Sequence, residues 1–322
     1  MSSIPVRNIG LISNPHSGHN RDHFEAIAHR IAQIPEIRHC ITQSADEVPE
    51  ALQQFAAAGV EVLAINGGDG TASGILGTMI EGNYFQQTPR IVLLPGGTAN
   101  MNAGDIGVPG HLQKAVRRFC QWAQNPQDKP QRIEQRHLLR LSTASEARAR
   151  YGMFLGGGAI MQGTEYAHQE IHSRGLKDDF SLALGTARTI WGVFRRDPDY
   201  RRHQAMELSL DGGQPRAHDA LVLAISTLER LAFGMRPFWG EGPGPVRMTL
   251  MEQDCSKFVR TFLAIIRGKP GRNAIPESGY FSDNAHSIEL AMTGSLNLDG
   301  EIIQVNGGVS ISNSPQLEFL IL

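Results

Sequence analysis

Three glycine-rich turns, each placed directly after a short apolar run, constrain this chain more than any other feature. Ile9-Gly-Leu-Ile-Ser13 leads into Asn14-Pro-His-Ser-Gly18, Val60–Ile65 into Gly67-Gly-Asp-Gly-Thr71, and Ile91–Leu94 into Pro95-Gly-Gly-Thr-Ala-Asn100. Helical patterns run from about Asp22 to Ile34 and from the second glycine stretch to about Glu81. Between them, His39–Thr42 is a short strand candidate. Ser44-Ala-Asp-Glu47 reads as a capping box opening a helix that Gly59 stops. This strand–helix alternation predicts a parallel sheet covered on both faces.

After about residue 130 the pattern changes. Strand-like segments dominate: His137–Leu141, Tyr151–Leu155, Ala205–Leu210, Ala220–Ile225, Val246–Met251, Ser287–Met292 and Glu301–Val305. Asp211-Gly-Gly213 and Asp299-Gly300 are turn signals between them. Helical patterns interrupt near 159–172, 177–196 and 255–267. The expected architecture is α/β. A parallel-sheet domain occupies residues 1–132, with a polar linker around 128–136. A β-rich, sandwich-like domain occupies residues 133–305, and a C-terminal segment, 306–322, returns to the first domain. A length of 322 residues agrees with two domains.

Composition narrows the function classes. A net charge of −2 argues against nucleic acid as the main partner, which requires a basic footprint. The three cysteines, Cys40, Cys120 and Cys255, are scattered and never form CxxC, which fits a reducing compartment and no zinc site. The N-terminus lacks a signal-peptide apolar region, and no stretch approaches the ~20 apolar residues of a transmembrane helix. The expected location is cytoplasmic, with peripheral contact at the inner membrane surface left open.

Open parallel sheets bind ligands where strand ends lead into helices. Glycines there let backbone N–H groups approach an anion, and the following helix N-terminus favours negative charge. Three such loops on one rim make a phosphate cradle, whereas one alone would be read as a tight turn. Asp69 cannot cradle phosphate itself, because like charges repel. Its carboxylate fits if it holds a Mg²⁺ riding on the phosphates, or a ribose hydroxyl. The Walker pattern GxxxxGK[ST] is absent, and Gly68-x-Gly70-x-x-x-Gly74 is a loosened dinucleotide fingerprint, weak by itself.

Taken in order, Asn14-Pro-x-Ser-Gly18, Gly67-Gly-Asp-Gly-Thr71, Pro95-Gly-Gly-Thr-Ala-Asn100 and Leu298-Asp-Gly-Glu301 resemble the diacylglycerol kinase catalytic-domain family, which includes bacterial lipid kinases and sphingosine kinases. The likeness runs from about residue 7 to 305. NAD kinases share the GGDGT loop, but the Pro-Gly-Gly-Thr-Ala-Asn loop looks like the lipid branch. The resemblance implies an ATP-dependent, Mg²⁺-using kinase that phosphorylates a lipid hydroxyl at a membrane surface. It implies that Thr42, Gly67, Gly68, Asp69, Gly70, Thr71 and Thr98 contact the nucleotide. Gly97 and Asn100 belong to the same third loop, and Asn14 and Ser17 to the first phosphate-side loop. Glu301 is the implied proton acceptor, with Asp299 the alternative base. A kinase for a soluble acceptor such as NAD, or a nucleotide binder with degraded catalysis, stays open, and a homodimer is compatible with either.

The chain departs from the family pattern in places. Met101 and Asn102 stand where an acidic residue and an aromatic usually follow Thr-Ala-Asn, with Asp105 a few residues on. Ser73 and Gly74 stand where Asn and Glu are common, and Pro237–Pro243 where an Asp-Asp-Gly stretch is often found. These departures bear on the Mg²⁺ network and the acceptor. Elsewhere, His168 and His172 share a helix face and are read as surface polar residues. Phe180, Leu184, Ala187, Trp191 and Phe194 fall at helical spacing before Arg195, Arg196, Arg201 and Arg202. That stripe reads as core, with a lipid-cleft helix as the functional alternative.

Overall fold

The computed structural model describes residues 8–126, 131–144, 146–161 and 204–322. It divides the chain into two units, Met1–Arg136 with Pro315–Leu322, and His137–Ser314. The boundary drawn from the sequence at 132/133 therefore moves to Arg136/His137, and the return begins at Pro315 rather than at 306.

The first unit is built on strands β1 (Ile9–Ser13), β2 (Ile37–Ile41), β3 (Val62–Gly67), β4 (Arg90–Pro95) and β5 (Arg132–Arg136), joined by the C-terminal β15 (Leu317–Ile321). Their order is β2-β1-β3-β4-β15-β5. All pairings are parallel except that of β15 with the edge strand β5. β1 and β3 are buried along their whole length, because a parallel strand inside such a sheet is covered on both faces. Helices α1 (Asn20–Ala32) and α5 (Leu112–Gln124) supply Ile27, Ile31, Val116, Phe119 and Trp122 to one core with Ile9, Leu11, Val62 and Ala64. On the other face, Phe55 of α2 (Val48–Ala57) lies over Gly10, where a Cβ would come 2.6 Å from its ring. α2 packs beside α3 (Asp69–Gly82).

The sequence reading at Ser44 needs correction. Ala45–Glu47 forms a 3-10 turn, Ser44 makes no side-chain cap, and Glu47 Oε2 accepts the Gln43 amide at 2.7 Å. α2 starts one residue later, with Pro49 in its first turn, where a missing N–H costs nothing.

The second unit holds a nine-stranded sheet of antiparallel pairs, β6 (Leu139–Thr143), β7 (Arg150–Gly152), β8 (Phe154–Gly158), β9 (Gln204–Leu210), β10 (Arg216–Ser226), β11 (Val246–Glu252), β12 (Tyr280–Ala285), β13 (Ser287–Leu298) and β14 (Glu301–Asn313). β8 and β9 both lie between β10 and β13, β9 against Arg216–Ala220 and β8 against Val222–Ser226 of β10. Alternating residues of β13 and β14, including Ile288, Leu290, Leu296, Ile303, Val309 and Ile311, face one core. Helix α6 (Phe258–Ile266) packs by Ile265 against Leu221, Met251 and Tyr280. Short α4 (Met101–Ile106) follows β4 in the first unit. The segment with His168, His172 and the Phe180–Arg202 stripe lies outside the described residues.

Candidate nucleotide site

Because β1 to β4 are parallel, the loops that follow Ser13, Ile41, Gly67 and Pro95 all leave the same rim of the sheet. Three of them are fastened to one another. Asn14 Nδ2 donates to Thr71 Oγ1 at 3.0 Å, and the Ser17 hydroxyl lies 3.3 Å from the same oxygen. Ser17 Oγ accepts the Gly68 amide at 3.2 Å. The Gly96 amide donates to Gly67 O at 3.1 Å. Within the third loop, Asn100 Oδ1 accepts the Gly97 amide at 2.8 Å and its Nδ2 returns a bond to Gly97 O at 2.7 Å.

Backbone contact does the rest. A Cβ on Gly97 would sit 2.3 Å from Gly68 Cα, and one on Gly18 would sit 2.5 Å from Thr98 Oγ1. No side chain fits on Gly18 or Gly97 between these loops, so both glycines are needed for close approach. Beside them, the first-turn amides of α3, Gly70 and Thr71 among them, have no intrahelical acceptor, and the helix dipole points its positive end there. This geometry suits a phosphate chain. Thr42 is buried at the same rim, its amide donating to Ser13 O at 3.0 Å.

Asp69 has a role that the sequence did not show. Its side chain is buried, 9% exposed, with Oδ2 accepting the Met101 amide at 3.0 Å and Oδ1 the Asn102 amide at 2.9 Å. The carboxylate thus caps α4, a six-residue helix with no capping side chain of its own, and locks the second loop to the third. No group of three His, Cys, Asp or Glu among the described residues could hold a metal ion. A Mg²⁺ at this rim would draw most of its oxygens from phosphates and water, which is how that ion is usually held.

Three buried asparagines also shape the rim. Asn20 Nδ2 donates to Asn14 O at 2.7 Å and to Asn66 O at 3.4 Å. Asn66 Nδ2 donates to Ser13 Oγ at 3.3 Å, and His39 Nε2 lies 2.9 Å from that hydroxyl. Burial pushes the His39 ring below its usual pKa. Asn102, 1% exposed, lines a small cavity with Gly67, Gly68, Asp69 and Asn100, and neither of its side-chain polar atoms has a partner. Asn20 and Asn66 escaped sequence reading because a buried asparagine resembles a loop asparagine until its bonds are known.

Asp299 and Glu301 lie in the second unit. The two-residue turn Asp299-Gly300 joins β13 to β14, both with positive φ, 48° and 96°. Asp299 is 8% exposed, and its Oδ2 and Oδ1 accept the Met153 and Phe154 amides, each at 2.9 Å. Glu301 is open, its side chain 65% exposed, with Arg150 Nη1 3.6 Å from Oε2. Arg150 also pairs with Glu146 through two bonds of 2.7 Å, which hold the Glu146 carboxyl below its ordinary range.

Residues 8–129 match the diacylglycerol kinase catalytic domain, so the resemblance read from the motifs holds over the first unit. Among solved structures, the chain is similar to a candidate diacylglycerol kinase from Bacillus anthracis str. Sterne. The TM-score is 0.66 at 16% identity, covering 99% of this chain and 96% of that one. A structure of a diacylglycerol kinase from the same organism gives a TM-score of 0.61 at 15% identity, with 99% and 97% covered. These likenesses show the shared fold, a parallel-sheet domain with a β-rich partner. No curated protein matches the chain.

Proposed function

We propose that this chain is an ATP-dependent lipid kinase that transfers the γ-phosphate to a hydroxyl of a diacylglycerol-like or sphingoid lipid. The observation that carries the reading is the seam between Gly68 and Gly97, too tight for a side chain on Gly97, beside the open first turn of α3. It holds two phosphate-side loops together beside the first-turn amides of α3, which have no intrahelical acceptor. The catalytic-domain match over residues 8–129 favours a kinase, and the Pro-Gly-Gly-Thr-Ala-Asn loop favours the lipid branch.

ATP supplies the activated phosphoryl group, and Mg²⁺ offsets its charge. The protein's part is positioning. Gly67, Gly68, Gly70, Thr71, Gly97, Thr98 and Asn100 hold the phosphates, Asn14 and Ser17 fix Thr71, and Thr42 closes the rim. Asp69 would help to hold Mg²⁺ at the phosphates while it keeps the second and third loops together. Glu301 accepts the proton of the attacking hydroxyl, so that the lipid oxygen bonds to phosphorus as the bond to ADP breaks. Asp299, with both oxygens on backbone amides, holds the turn that presents Glu301.

Incubation with γ-labelled ATP and a lipid extract, followed by phase partition, tests the reading. Label in the organic phase is expected. Label only in water-soluble acceptors such as NAD would move the assignment to a soluble-acceptor kinase, and no transfer at all would overturn it.

A further inference from the structure

Helix α6 is more apolar than its burial requires. Thr261 and Ile265 face the core, and Phe258 and Phe262 stack at 5.4 Å against its margin. Val259, Leu263 and Ile266 follow at i, i+4 and i+7, half-exposed on the flank next to that margin. The turn Ala232–Gly234 is tied to the end of this helix, the Arg236 amide donating to Ile266 O at 2.9 Å. It presents Phe233, 66% exposed, in a left-handed conformation.

Cations frame this apolar flank. Lys257, Arg260, Arg267, Lys269 and Arg272 are all exposed, and no carboxylate occurs between Asp254 and Glu277. None of the five forms a salt bridge with a described residue. In a chain of net charge −2, this is a local concentration of positive charge.

We propose that α6 and the Phe233 turn form a docking surface for an anionic lipid bilayer. A helix with apolar side chains beside unpaired lysines and arginines suits an interface where the acyl boundary takes the former and headgroups the latter. A nucleic acid would use the cations but leave Phe233, Val259, Leu263 and Ile266 in water. A second copy of the chain, meeting through the same face, would set five cations against five. As an account of how the protein reaches its acceptor, the proposal rests on the lipid-kinase reading. As a binding surface it is tested without nucleotide, so the two fail separately.

The test is co-sedimentation of the full-length protein with vesicles, without ATP. Binding is expected to mixed phosphatidylcholine–phosphatidylglycerol vesicles, weaker at high salt, and absent with phosphatidylcholine alone. Arg260→Glu combined with Arg267→Glu should weaken it by at least ~10-fold, since each basic side chain near such a surface contributes about 1 kcal/mol. Phe233→Ser, at an exposed turn, should weaken it with an unchanged circular dichroism spectrum. Arg38→Glu, exposed on β2, should leave it unchanged. Wild-type vesicle binding by the α6 and Phe233 variants overturns the proposal. So does equal loss in the Arg38 control, or loss only of duplex DNA binding or self-association.

Discussion

One oxygen of Asp69 accepts the backbone amide of Asn102 at 2.9 Å, although the two residues stand 33 apart in sequence. With the Met101 bond to the other oxygen, this makes Asp69 a structural joint before any nucleotide arrives. Asp69→Asn keeps only one acceptor oxygen and leaves a buried amide unpaired. Loss of a hydrogen bond to a charged group costs about 1.5–3 kcal/mol. The expected result is a Tm lowered by several degrees in nucleotide-free protein, together with loss of ADP binding by calorimetry. An unchanged Tm would leave Asp69 with a ligand-binding role alone.

The glycines divide by what surrounds them. Gly97→Ala drives a Cβ to 2.3 Å from Gly68 Cα and must part the loops. Overpacking of this kind costs ~1–3 kcal/mol, and ADP affinity should fall about tenfold or more. Gly74, inside α3, has nothing within 4 Å of its would-be Cβ. Gly74→Ala should therefore stabilise by ~0.5–1 kcal/mol through helix propensity. Paired thermal melts read both signs, and a stabilised Gly97→Ala would contradict the packing seen here.

Much of this was legible in the sequence because it is local. Apolar runs followed by glycine turns located β1, β3 and β4 and the three loops, and Asp299-Gly300 located the β13–β14 turn. What escaped depends on distant partners. α4 contains Asn102 and Gly104, poor helix formers, and is held by Asp69 from another loop. The C-terminal segment was expected to return to the first domain, but the place of β15 beside β4 is a matter of topology. β12, Tyr-Phe-Ser-Asp-Asn-Ala, is a polar edge strand that alternation does not reveal. α5 was readable from the spacing of Leu112, Val116, Phe119 and Ala123, yet no element was expected there. At the site, the motifs marked which loops matter, while the bonds of Asp69 and Asp299 became visible only in three dimensions.

Asn102 follows the third glycine loop, in the first turn of α4. Its amide is 1% exposed with neither polar atom partnered, beside a small cavity. A buried unsatisfied group of this type costs ~1–3 kcal/mol. Asn102→Leu, which removes the polar atoms and fills space, should raise Tm while leaving the Asp69 bond to its backbone amide intact. A lowered Tm would show instead that the amide has a partner.

His39 gives the fold a pH dependence. Burial disfavours its charged form, so its folded pKa lies below the ordinary value of about 6.5. As pH falls through that value the unfolded chain takes up a proton that the folded chain does not, and stability declines. His39→Gln should reduce the loss of stability between about pH 7.5 and pH 5.5, measured by denaturant titration. Equal losses in both proteins would exclude this ring as a contributor.

Asp299 and Glu301 flank one glycine but are expected to fail differently. Asp299 spends both oxygens on the Met153 and Phe154 amides, whereas Glu301 faces solvent with only Arg150 near. Asp299→Asn should lower Tm, because a buried amide loses its acceptor. Glu301→Gln should leave Tm unchanged and reduce kcat by ~10²–10⁴, the usual contribution of a general base. It should also remove the acidic limb of the pH–rate profile, which a purely structural loss would preserve. If Asp299→Asn instead kept its stability and lost that limb, the base would be Asp299, and the amide bonds drawn to it would have to break in the working enzyme.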